Sequence, residues 1–470
     1  MGLQIVEATA IRHLAGAGDR VHDGMSISIF RRSDSQKGCG ERMAGLARRF
    51  GMERIALAVV AAVAGCHSTA AQNTPVTAGI DPAGLYDPNG YGDSPALPMA
   101  RDLFRVGERI RMAQRPAELP AHKSCLVLSG GGAFGAFQAG ILVGWSEAAQ
   151  RPAFDAVTGV STGALVAVFA FLGPEYDSEL RRVYTTLKTE DVYIRKRGLR
   201  SLFSDSLAEN HPLAKQIDRV LTPEAVDRIA AEHLKGRRLY VGTTDLESRR
   251  PVVWDIGAIA SKNEPGGREL IAKLLLASAA IPAFFPPVDI AVDVDGQSLV
   301  ERHIDGGVTQ NLFFRPPQVP QDFRHRPPAD FMFGSDLYVV VAGKLYADPE
   351  VVEPRVLKIA ASSVSTLIYA ETRVELIRLY TISMVSGMNY HLAAIPQDFP
   401  APSSSTTFDP VEMSRMFEEG RRQALNGSAW RSAPPGVEER EDIAQRAGTR
   451  LARKSSTAPP HRGNASATEK

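Results

Sequence analysis

Two patterns of apolar positions take turns along this chain. Ser124 to Leu128 is a short apolar, β-prone run. Ala136 to Ala149 then sets Phe137, Ile141, Leu142 and Trp145 at helical spacing. Phe154 to Val157 is a second short apolar run, and Ala164 to Leu172 a nearly continuous one, which predicts a buried strand followed by a buried helix. Arg238 to Leu246 and Val252 to Ile256 read as two neighbouring strands, Glu269 to Leu276 as a short helix, and Leu299 to Ile304 as a strand. Asp336 to Ala342 is a strong β run, and Tyr390 to Ile395 a last strand. Between them, Pro354 to Met384 reads as a long helix with Val356, Ile359, Ala360, Val364, Leu367 and Ile368 on one side. Pro410 to Leu425 is a charged helix whose apolar face is Met413, Met416, Phe417 and Ala424. The alternation predicts an α/β fold of three layers around a central, mostly parallel sheet.

The flanks differ in character. Residues 1–65 read as a leader, with Met43 or Met52 as the working start. Arg48, Arg49 and Arg54 precede an apolar run from Ile55 to Val63, and Ala64-Gly65-Cys66 closes it. This is the basic, apolar, small-residue order of a secretory signal. The run is far short of the roughly 20 residues that span a bilayer. Val63-Ala64-Gly65-Cys66 resembles the lipobox of bacterial lipoproteins. That resemblance implies cleavage before Cys66, a diacylglyceryl group on its sulfur, and a membrane-anchored lipoprotein of the cell envelope. His67 stands where an Asp would signal inner-membrane retention, so the expected site is the outer membrane, facing the periplasm. Residues 66–121, rich in Pro, Gly and Asn, read as a flexible tether with one helix from Ala100 to Arg111. The main domain is expected over 122–398, a linker and docked helix over 399–432, and a disordered tail from 433 to 470.

Composition adds little beyond bounds. A chain of 470 residues, 44% hydrophobic, can bury a large core. Its formal net charge of +1 gives no general affinity for nucleic acid. The three cysteines, Cys39, Cys66 and Cys125, fit neither a metal site nor a disulfide framework.

The chemistry concentrates at two glycine-bearing turns. Thr158-Gly159-Val160-Ser161-Thr162-Gly163 holds a Gly-x-Ser-x-Gly pentapeptide between a predicted strand and a predicted helix. Such a turn presents a serine hydroxyl clear of the backbone, close to a helix N-terminus. Ser129-Gly130-Gly131-Gly132-Ala133-Phe134-Gly135 also comes after a strand and before a helix. Its glycines fit two chemistries. Gly130, Gly132 and Gly135 satisfy G-x-G-x-x-G, with Asp155 about 20 residues on, as in dinucleotide sites. Alternatively, bare amides at Gly130, Gly131 and Gly132 could face the oxygen of a tetrahedral intermediate. Asp155 falls inside the second strand rather than at its end, which favours the second use.

With Asp305-Gly306-Gly307 at the end of the later strand, the three motifs together resemble the patatin-like phospholipase family. The resemblance runs from about Lys123 to Asn311 and includes Ile281-Pro282 and Phe285-Pro286-Pro287. It implies a three-layer α/β/α hydrolase acting on a lipid ester or phospholipid, with no metal or cofactor. It assigns Ser161 as nucleophile, Asp305 as its base in a dyad, and Gly130 to Gly132 as the oxyanion loop. Gly135, Gly159, Gly163, Gly306 and Gly307 are the remaining motif glycines. The family often has Arg or Lys where this chain has Phe134. His303 shares a strand face with Asp305, so a Ser-His-Asp triad remains open from the residues alone. The alternatives are a non-catalytic lipid-binding envelope lipoprotein and a nucleotide-binding oxidoreductase.

Overall fold

In β1 (Ser124–Leu128) successive side chains serve two different cores. Leu126 and Leu128 join one buried cluster, while Cys125 and Val127 join another. β2 (Ala156–Val160) divides likewise, with Val157 in the first cluster and Ala156 in the second. Strand side chains alternate with a period of two, so a sheet with both faces covered must supply two cores. This is the three-layer α/β/α arrangement expected from the alternating pattern. A computed structural model describes residues 97–196, 204, 206–294, 297–319, 325–348 and 352–437. Cys66, the leader and most of the tether lie outside the described residues, as does the tail from 438.

Around these two strands, among the described residues, stand the helices of ten or more residues and the other strands of the main sheet. α1 spans Leu97–Ala113, α2 Gly135–Glu147, α3 Thr162–Leu172, α4 Asp177–Thr186, α5 His211–Val220 and α6 Pro223–Leu234. β3 spans Arg238–Asp245, β4 Arg250–Asp255, α7 Gly267–Ser278, β5 Val288–Val294 and β6 Gln297–Asp305. β7 spans Asp336–Val340, α8 Val356–Ser386, β8 Asn389–Ala393 and α9 Pro410–Leu425. The strand order is β8-β7-β1-β2-β3-β6-β5, with β4 also paired to β3. Pairs from β8 through to β3 are parallel, while β3 with β4, β3 with β6, and β5 with β6 are antiparallel.

One face carries α2, α3 and α9. The crossing of α2 and α9 is close because glycines line it. A Cβ at Gly140 would stand 2.0 Å from the Phe417 carbonyl oxygen, and one at Gly420 2.4 Å from that of Phe137. Met413, Met416, Phe417 and Ala424 of α9 are all buried there. The other face is covered by α8 through Leu376, Leu379, Tyr380 and Met384.

The structure departs from three expectations. The helix in the expected tether, α1, is not free-standing. Gly107 sits against Tyr380, and Arg111 Nη1 donates to Asn389 Oδ1 at 3.2 Å. The tail does not begin at 433, because Ala433 and Val437 are buried in the second cluster and Arg431 bridges to Leu392. The apolar side of the long helix is not its core side. Val356, Ile359, Val364, Leu367 and Ile368 are exposed, while among its described side chains α8 first buries one at Thr372.

Candidate active site

β3 acts as a ruler that brings two distant motifs together. One edge of β3 is occupied from Tyr240 to Asp245 by β4. On the other edge β2 pairs in parallel until Val160 stands opposite Gly242. The next residue of β3, Thr243, pairs with Asp305 at the end of antiparallel β6. Two strands running in opposite directions thus end head to head on adjacent residues of β3. Ser161 is the first residue beyond β2, and Asp305 is the last residue of β6. Gly306 fits this junction because a Cβ there would lie 2.5 Å from the Gly242 carbonyl oxygen.

Ser161 is held in a conformation that L-residues avoid, with φ 54° and ψ −127°. Such a residue persists only where its surroundings over-determine it. Here a Cβ at Gly159 would meet the Gly163 carbonyl oxygen at 2.3 Å, and one at Gly163 the Leu128 carbonyl oxygen at 2.5 Å. The turn therefore closes only with glycine at both places. The Ser161 amide donates to Ser278 Oγ at 2.9 Å, and the Ser278 hydroxyl donates onward to the Gly242 carbonyl at 2.7 Å. Ser278, fully buried at the end of α7, thereby ties the turn to β3. Nothing in the sequence pattern singles it out.

Asp305 is buried, and burial pushes its carboxyl up to about 6 against a hydrogen bond from the Ser161 side chain and one from the Gly307 amide. The amide bond is 2.8 Å long, to Oδ1. His303 is fully buried two residues earlier, but both ring nitrogens are occupied elsewhere. Nδ1 lies 3.0 Å from Thr243 Oγ1, and Nε2 3.1 Å from Glu301 Oε2.

The glycine loop is more tightly bound than its composition suggests. Of the three amides expected to face an oxyanion, that of Gly130 is already taken by Asn311 Oδ1 at 2.9 Å. The Gly131 and Gly132 amides have no hydrogen-bond partner among the described residues. Gly132 has φ 55°, and its missing Cβ would meet the Ser405 carbonyl oxygen at 2.2 Å. The same Ser405 carbonyl accepts from the Ala133 amide at 2.8 Å. Gly131 lies as close to Ala342, and Gly135 to Thr162. The loop is consequently pinned on two sides, and any side chain at Gly131 or Gly132 would displace it. Phe134 packs against the first core cluster.

Asn311 in turn donates through Nδ2 to Thr372 Oγ1 at 3.1 Å, and Glu375 Oε2 accepts from the Leu312 amide at 2.8 Å. Burial, with Glu371 nearby, pushes the Glu375 carboxyl up to about 8. α8 thus reaches the glycine loop through Asn311. The Asp155 carboxylate, the acid a dinucleotide would need, instead accepts from the Ser124 amide at 2.8 Å. That position is at the amino end of β1, across the sheet from the glycine loop.

A deep apolar pocket opens from Ser161 and Gly132. Leu165, Val168 and Phe169 of α3 form one wall, and Leu213 and Ile217 of α5 another. Ser405, Thr406 and Phe408 form a third. This last strip is tied down by Tyr193, whose hydroxyl donates to the Thr406 carbonyl at 3.0 Å, and by Thr189 at Phe408. A hydroxyl beside a buried carboxylate, with free amides nearby and a hydrocarbon-lined cavity alongside, can accommodate an ester of a long apolar acid.

Residues 126–317 match the family model described as patatin-like phospholipase. Among solved structures, the chain is similar to the crystal structure of VipD from Legionella pneumophila, with 13% identity and a TM-score of 0.34 over 66% of this chain and 67% of that one. No curated protein matched the chain.

Proposed function

Taking residues 126–317 as a patatin-like phospholipase domain, we propose that this protein is a serine acyl hydrolase of lipid esters working through a Ser161–Asp305 dyad. The observation that carries the reading is the junction on β3, which puts the strained Ser161 against a buried carboxylate with no histidine between them. Asp305 takes the hydroxyl proton as Ser161 Oγ attacks the ester carbonyl. The Gly131 and Gly132 amides bind the oxyanion, helped by the N-terminal dipole of α3. The alcohol leaves with a proton, and water then releases the fatty acid from the acyl-enzyme. The acyl chain occupies the apolar pocket, since hydrocarbon gains about 0.8 kcal/mol per buried CH₂ there. The envelope location stays part of this proposal, with Cys66 as the lipid attachment point. Fluorophosphonate labelling of the purified protein tests the reading. Covalent labelling is expected in wild type and absent in Ser161→Ala, whereas an unlabelled, folded wild-type protein would favour a lipid-binding role.

Ser278 should matter as a positioning residue. Ser278→Ala leaves the buried Ser161 amide and Gly242 carbonyl without their shared partner. Turnover should fall about tenfold and stability by about 2 kcal/mol, read as initial rates and urea midpoints. Wild-type rates in this variant would mean that the turn holds Ser161 without Ser278.

A further inference from the structure

The geometry points to Asn311 as a positioning residue that sets the glycine loop against Ser161 and Asp305, with α8 fixing its orientation. The inference rests on the hydrolase reading and names what keeps the oxyanion loop in place. Asn311 is buried, shortly beyond the Asp305-Gly306-Gly307 turn. Its side chain fills the space between two motifs. A Cβ at Gly130 would stand 2.7 Å from Asn311 Oδ1 and 3.0 Å from the Ser161 Cβ. A Cβ at Gly307 would stand 3.4 Å from the same Oδ1 and 3.1 Å from Asp305 Oδ1. One amide oxygen thus sits where the loop beside Ser161 and the turn beside Asp305 meet.

The orientation of that amide is decided on α8. Thr372 donates its hydroxyl proton to the Ile368 carbonyl at 2.8 Å, so towards Asn311 it can only accept. Nδ2 therefore faces Thr372 at 3.1 Å, and Oδ1 is left to accept from the Gly130 amide at 2.9 Å. A reversed amide would set a donor against the Gly130 donor. The backbone that carries Asn311 is held as firmly. Three residues further along α8, Glu375 Oε2 accepts from the Leu312 amide at 2.8 Å. The Phe313 carbonyl accepts from Thr158 Oγ1 of β2 at 2.6 Å. Three consecutive residues are tied to α8 and β2, and Asn311 carries that fixed frame to the loop. Gly130 is the anchored end, and the Gly131 and Gly132 amides follow directly from it. Oxyanion donors act only when aimed where charge develops, so loss of Asn311 should raise the barrier. It should spare the apolar pocket, whose lining does not include Asn311.

The test measures full-length variants on p-nitrophenyl butyrate. Asn311→Ala should lower kcat about a hundredfold and leave KM within about threefold of wild type. A second readout separates aim from general support. A long-chain trifluoromethyl ketone forms an anionic hemiketal when Ser161 Oγ adds to its carbonyl carbon and Asp305 takes the proton. Asn311→Ala should weaken inhibition by this ketone about as much as it lowers kcat/KM, while palmitate binding stays at the wild-type level. Thr372→Val, a milder change on α8, should lower kcat about tenfold, and Thr372→Ser should restore it, because only the hydroxyl is needed. This pair decides the matter even if Asn311→Ala does not fold. Wild-type kcat in Asn311→Ala or in Thr372→Val overturns the proposal. So does an equal loss of ketone and palmitate binding, which would make Asn311 a general support of the fold. A wild-type protein that neither hydrolyses the ester nor binds the ketone removes the hydrolase reading and this inference with it, whereas an active wild type with an unaffected Asn311→Ala removes this inference alone.

Discussion

Ser161→Ala and Asp305→Asn should each lower ester hydrolysis about a thousandfold or more, while His303→Gln keeps most of it. Nucleophile and base act as one unit, so the double variant should be little worse than either single one. His303 is spared because its ring serves the sheet: Thr243 and Glu301 hold its nitrogens, and Trp254 meets it edge-on at 5.4 Å between centroids. The measurement is initial rates on a soluble short-chain ester, with circular dichroism as the folding control. A folded His303→Gln protein as inactive as Ser161→Ala would make histidine the base and end the dyad assignment. The same assignment fixes the pH profile. Asp305 accepts a proton only when ionised, and burial lifts it to about 6, so kcat/KM should rise through that pH and then level off.

The second large effect is on stability, and its sign is opposite to the effect on activity. Asp305 holds a proton in the folded state up to about pH 6 but loses it near 3.8 when unfolded. Between those values the folded protein binds more protons, so stability falls as pH rises across the window. Above about pH 6 the loss is complete and amounts to about 3 kcal/mol. Asp305→Asn keeps an acceptor for the Gly307 amide and removes the buried charge. It should therefore be more stable than wild type by up to about 3 kcal/mol at about pH 8, and nearly equal to it at about pH 4. Paired urea denaturation curves at the two pH values read this directly. A variant less stable than wild type at the higher pH would mean that the carboxylate is favourably solvated in place.

The glycine-bearing motifs are legible in the sequence because each needs glycine for a steric reason that only glycine satisfies. Gly159, Gly163 and Gly306 stand where a Cβ would strike backbone, and such positions leave a visible mark in the chain. The strand and helix order is legible for a similar reason, since burial on both faces of β1 and β2 forces short unbroken apolar runs. Ser278, Asn311 and Thr372 are not, because an ordinary polar residue gains its role only from what the fold puts opposite it. β5 also escapes the pattern reading, although Val288, Ile290, Val292 and Val294 alternate through it. The face of α8 is misleading for a different reason. Helical periodicity identifies an apolar side but not what that side touches, and here Leu376, Leu379 and Tyr380 belong to the core while Val364 and Leu367 do not.

The Ser405 carbonyl that receives the Ala133 amide has a consequence for the timing of synthesis. Ser161, Asp305 and the glycine loop all precede β8 and α9 in the chain, yet the third wall of the pocket comes from Ser405, Thr406 and Phe408. A nascent chain has translated Ser161 and Asp305 long before it holds the strip that pins the loop. Closing contacts of such wide sequence separation form late. The candidate site is completed only once Ser405 to Phe408 have emerged, so a ribosome stalled before that point carries a chain whose glycine loop is not yet fastened.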